Sequence, residues 1–160
     1  MLEWLSQTPY AVWVQQSWGW ALALTFHAFG NAVIVGLIFI ITLRLLGLFR
    51  TIPYASLKML LPVIWIAVVV QALSGVTLWL TKPARYMTDG MFLWKLAFVV
   101  GGVIVTVYFE KILKREEGAW EAAKAVSTRG VQVVVAASFL WAAVLVMGRL
   151  TAYLGQLYRV

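Results

Sequence analysis

Residues 18–43 read WGWALALTFHAFGNAVIVGLIFIITL, an apolar run interrupted by no lysine, arginine, aspartate or glutamate. Crossing the hydrocarbon core of a bilayer takes about 20 apolar residues in a helix, so this stretch is long enough to span. Three further runs qualify: 61–80, 91–108 and 131–152. The third is expected to continue beyond Tyr108 as an amphipathic helix. Composition agrees, with 63% hydrophobic and 12% charged residues. Soluble domains have roughly 45–50% and about 25%, and the excess suits a chain whose solvent is largely lipid. Pro53 and Pro62 mark the foot of the second span, Lys82-Pro83-Ala84-Arg85 its close, and Thr88-Asp89-Gly90 the turn into the third. The expected fold is all-α: one membrane domain over 1–160, an up-down four-helix bundle in which short loops make successive helices neighbours.

Residues 1–17 are too short and polar to span. Trp4, Leu5, Tyr10, Val12, Trp13 and Val14, followed by Gln15, Gln16 and Ser17, suit a segment lying at the outer interface. It serves as an anchor or as a lid over a site below. Trp18, Trp20, Tyr86, Tyr153 and Tyr158 suit an aromatic belt. No basic n-region or Ala-x-Ala site is present, so no cleaved leader is expected.

Orientation follows the basic residues of short loops. Arg44, Arg50, Lys58, Lys111, Lys114, Arg115, Lys124 and Arg129 fall on one side; Lys82, Arg85, Arg149 and Arg159 fall on the other. Both termini are therefore expected outside, which is periplasmic for a bacterial inner membrane. The net charge of +7 flanks apolar runs instead of forming one basic face, which argues against nucleic acid as a partner. Zero cysteines exclude disulfides, thiol catalysis and an iron–sulfur cluster held by this chain alone. No phosphate loop and no His-Glu-x-x-His helix occurs. The scattered methionines form no copper-like cluster, and no span carries a central carboxylate of the kind a proton-coupled transporter uses.

The single histidine, His27, lies inside the first span. An ionisable group at membrane depth is by default a functional candidate, and neutral imidazole is the commonest side-chain metal ligand, haem iron included. His27 is nine residues below Trp18, roughly 13 Å at a helical rise of about 1.5 Å. Lys95 stands four residues into the third span, and Arg149 returns to similar height on the fourth, with Lys82 and Arg85 just above. One imidazole and several cations thus converge near one level, as haem iron and two propionates would require. The competing readings are a hydrogen-bonded helix contact for His27 and snorkelling for Lys95 and Arg149. Gly30 and Gly75 suit either close approach of a flat ligand or helix packing, whereas Ala28, Ala32 and Gly36 read as a packing stripe. Asn31 and Gln71 are buried polar groups that can bond each other, a ligand or a water.

The pair Phe26-His27-Ala28 and Trp94-Lys95-Leu96 resembles the superfamily containing the HemJ-type protoporphyrinogen oxidases and the CopD-like proteins. HemJ proteins are four-helix haem-b membrane proteins with an essential histidine in the first helix and an essential lysine in the third. A nearer likeness, over almost the whole chain, is to an uncharacterised family of bacterial four-helix membrane proteins. It rests on Ser17-Trp18, His27-x-x-Gly30, Leu43-Arg44-Leu45-Leu46-Gly47 and Phe92-Leu-Trp-Lys95. The chain departs from HemJ after His27 and at the fourth helix, where Ser127-Thr128-Arg129-Gly130 offers only the arginine.

The resemblance implies haem b, with His27 as the iron ligand. Lys95 would be a second ligand or a propionate or substrate partner, and Arg85 and Arg149 would be propionate partners, with Gly30 and Gly75 beside the ring. The expected role is an electron-transfer component or small subunit of a membrane redox complex, with a partner membrane protein or a second copy, and quinone as a further candidate. A divergent protoporphyrinogen oxidase and a non-catalytic subunit that docks through its tryptophan-rich outer face are the alternatives.

Overall fold

The computed structural model describes residues 2–157, with side chains through Thr151. Two short helices, α1 (Glu3–Ser6) and α2 (Pro9–Gln16), precede α3 (Gly19–Leu45). A 3-10 turn (Tyr54–Leu60) runs straight into α4 (Leu61–Thr81), and a short α5 (Pro83–Thr88) leads to α6 (Gly90–Ala123) and α7 (Thr128–Leu157). The segment that sequence reads as an amphipathic continuation is one unbroken helix with the third span. Every element among the described residues is helical, and α3, α4, α6 and α7 are each long and apolar enough to cross a bilayer. The chain is a multi-pass, all-α membrane bundle.

Local chemistry sets the helix ends. Thr8 caps α2 by accepting from Ala11 N–H at 3.4 Å, with Pro9 as the first helical residue, whose absent N–H needs no partner. Asp89 caps α6 by accepting from Met91 N–H at 2.9 Å and Phe92 N–H at 3.4 Å. Lys124 ends that helix in the left-handed region at φ 51°, and Gly47 turns the chain after α3 at φ 95°, where the lack of a Cβ removes the usual penalty.

Close backbone contacts run in the series α4–α3–α7–α6, and the two ends of that series, α4 and α6, hardly meet. Short loops thus predict neighbours correctly for α3/α4 and α6/α7 but not for α4/α6. Helix α5 intervenes, packing against both at one end. The core is uneven along the axis. Ile34, Ile38, Ile41, Leu57, Ile64, Phe109, Leu113, Val134, Trp141 and Val144 form it, toward the end opposite the N-terminus. Trp141 donates Nε1–H to Thr106 Oγ1 at 3.0 Å, and Gly102 makes room for the indole. At the N-terminal end packing thins: every buried residue of α6 lies at Gly102 or beyond, and those described on α7 stop at Val144.

The apolar surfaces of the four helices face outward, with Phe29, Ile66, Leu73, Ile104 and Phe139 each more than 60% exposed. Such a patchwork suits lipid, not water. The proposed packing stripe proves to be part of it. Ala28, Ala32 and Gly36 are all exposed, and among the described residues nothing lies within 4 Å of a Cβ built on Gly36. The reason is rotational: Gly30, Ile34, Ile38 and Ile41 define the inward face of α3, and the stripe points the other way. At the N-terminal end α2 packs on α3 and α4, burying Ala11 and Val14 completely and hydrogen-bonding Tyr10 Oη to Thr77 Oγ1 at 3.0 Å. Trp4, Trp13, Trp18 and Trp20 stay exposed there, as a belt requires. The side chain of Tyr153, and all of Tyr158 and Arg159, lie outside the described residues.

Candidate functional site

His27 points across the helix interface toward α4 and α6. Ser74 Oγ donates its one proton to Val70 O at 2.6 Å, so at 3.1 Å it accepts from His27 Nδ1–H. That leaves the lone pair on Nε2, and two donors face it: Gln71 Nε2 at 3.2 Å and Lys95 Nζ at 3.3 Å. A histidine whose outer nitrogen is fixed by a hydrogen bond has its tautomer and ring orientation set, which is how metal-ligating imidazoles are usually held. Two helices thus build a polar cluster that the third long helix, α6, completes.

Glycines shape the walls. A Cβ on Gly75 would lie 3.2 Å from His27 Cε1, so α4 approaches the ring edge with backbone alone. A Cβ on Gly148 would lie 3.5 Å from Lys95 Nζ, which places α7 at the same level. Gly30 serves differently. Its Cβ would meet Ala67 O at 3.2 Å and Gln71 N at 3.3 Å, making it the close-packing point of α3 on α4. Of the two glycines left open by sequence, Gly75 borders the imidazole and Gly30 joins helices.

Sequence reasoning places His27 and Lys95 at one depth, and the structure brings them into contact. Arg149 is exposed next to Gly148, and Arg85 is exposed on α5 at the same end of the bundle. Gln71 is a direct partner of His27, and among the described residues its buried Oε1 finds no hydrogen bond, nor does Asn31 Oδ1. Ser74 and Gly148 gain their significance only here. Ser74 stands three residues after Gln71 on the same helix face, a spacing that offers a sequence signal. Gly148 has none, because only the fold brings it to Lys95.

Three features bear on whether these residues could hold a haem. The lone pair of an oriented imidazole faces the seam between α4 and α6, glycine backbone flanks the ring, and the surrounding part of α6 is loosely packed. Gln71 and Lys95 now share Nε2, and they would have to yield it to a metal. Among the described residues no group of three or more His, Cys, Asp and Glu side chains is gathered for a metal ion. A search of family models, curated proteins and solved structures finds no match to this chain.

Proposed function

We propose that this protein is a haem-b-binding integral membrane protein, an electron-transfer component or small subunit of a membrane redox complex. We place it in a bacterial inner membrane with both termini periplasmic. One observation carries the reading: the only imidazole of the chain is clamped at Nδ1 by Ser74 and turns Nε2 toward Lys95, 3.3 Å away, in the thinly packed end of the bundle. The likeness to the HemJ and CopD superfamily at His27 and Lys95 supports it.

In this reading His27 Nε2 is the iron ligand and Ser74 keeps the imidazole neutral and aimed. Lys95 supplies either a second nitrogen, as a neutral amine, or a cation for a propionate. Arg85 and Arg149 stand at the end where propionates would reach water. A bound haem would supply one-electron chemistry, with the exposed apolar flanks of α4 and α6 contacting lipid or a partner subunit.

The test is spectroscopic. Protein expressed with ample haem and purified should show a Soret band and a pyridine haemochrome of b type, and His27→Ala should lose both while remaining folded by circular dichroism. Wild-type protein without a Soret band, or a His27→Ala variant with undiminished pigment, refutes the assignment.

A further inference from the structure

At the opposite end of the bundle, Arg44 occupies the last turn of α3 at 5% exposure, the only buried charged side chain among the described residues. Its Nε donates to Ile52 O at 2.5 Å, and its guanidinium stacks on the Tyr54 ring, 3.9 Å from the centroid. Among the described residues no carboxylate forms an ion pair with it; those pairs are Lys58–Glu117 and Lys114–Glu110. Glu121 is engaged instead by the Tyr54 N–H at 2.8 Å. The terminal Nη groups form no hydrogen bond among the described residues and are not completely sealed, so what remains of the residue's 5% exposure leaves them an edge to approach. A buried cation lacking its anion is costly, and an arginine already fixed by a ring and a carbonyl is ready to receive one.

The turn beside it is apolar and exposed: Leu46 at 52%, Leu48 at 49% and Phe49 at 52%. Arg50 lies exposed on the same turn, its Nε held by Gly47 O at 3.0 Å. A free anion has no use for such neighbours, but a lipid has. We propose that Arg44 and residues 46–50 form a binding site for an anionic phospholipid. The guanidinium edge takes the phosphate as a fork of parallel N–H donors, Arg50 adds a flanking charge, and the acyl chains run over Leu46, Leu48 and Phe49. The site lies at the far end of α3 from His27 and does not depend on the haem reading.

The test is thermal unfolding of the full-length protein in neutral detergent, titrated separately with phosphatidylglycerol, phosphatidylcholine and inorganic phosphate. A ligand that binds only the folded state raises the midpoint with concentration. Phosphatidylglycerol should do so and the other two should not. Phe49→Ser and Arg50→Gln change exposed side chains and should keep the fold, as circular dichroism will show. Each should weaken the phosphatidylglycerol response about fivefold, the effect expected of one lost cation or a comparable acyl contact. Arg44→Gln should abolish it if that variant folds by circular dichroism, and if it does not, the two surface variants decide. Equal stabilisation by phosphatidylcholine overturns the requirement for an anion, and equal stabilisation by inorganic phosphate overturns the lipid. An unchanged response in both surface variants overturns the site.

Discussion

Lys95→Met should leave the stability of the bundle nearly unchanged while removing most of the haem binding proposed above. Lys95 lies five residues after Gly90, where α6 begins, or about 7.5 Å along a helix rising about 1.5 Å per residue. That is roughly half the distance to the centre of a core about 30 Å thick. A lysine at the centre costs about 2.5–3.5 kcal/mol, so about 1.5 kcal/mol is reasonable at half depth. Against this stands one hydrogen bond to His27 Nε2, at a long 3.3 Å, which contributes about 1–1.5 kcal/mol. The two nearly cancel, methionine preserves the apolar stem, and His27 Nε2 still accepts from Gln71. The unfolding free energy in mixed micelles should therefore move by less than about 1 kcal/mol. Haem affinity should fall about tenfold or more, the scale seen when a partner of a bound metal is lost. A loss above about 2 kcal/mol would show that Lys95 holds the helices together, and unchanged pigment would remove it from the site.

The other predictions test neighbouring parts of the argument. Ser74→Ala strips the partner from a half-buried Nδ1–H and should cost about 1 kcal/mol, with a change in the spectrum of the proposed haem as the imidazole loses its fixed orientation. In Gly130→Ala the new Cβ would sit 2.7 Å from Trp120 Cζ2. That indole is itself buried, bonded to Glu116 and edge-on to Tyr54, so the variant should lose about 1–2 kcal/mol, crowding exceeding the gain in helix propensity. Trp141→Phe removes the hydrogen bond to Thr106 and leaves a gap in the core, for an expected loss of about 1–3 kcal/mol by the same measurement. Because the chain has no cysteine, topology can be read from single introduced thiols. In intact cells with a permeabilised outer membrane, an impermeant maleimide should label Gln7→Cys and spare Lys124→Cys; the reverse pattern would invert the orientation.

The spans were legible because hydropathy is local: a run of about 20 apolar residues needs no knowledge of its neighbours to be recognised. The depth of His27 and Lys95 was legible for the same reason, since distance from a span's end is a count of residues. Rotation about each helix axis was not. In water an amphipathic pattern reveals which face turns inward, but here lipid and core are both apolar and each helix is apolar all round. Hence Ala28, Ala32 and Gly36 read as an interface and face outward, while Gly30, two residues from Ala28 on the same helix, packs on α4. Tertiary structure alone decided that Ser74 takes Nδ1, that Gln71 and Lys95 share Nε2, that Gly148 adjoins the amine, and that α4 and α6 leave a seam. It alone showed that Arg44, which in sequence is merely one more loop-side cation, is buried without an anion among the described residues. Sequence thus determined how far along each helix a group stands, and packing determined which way it faces, because only side chains meeting across helices distinguish one apolar face from another.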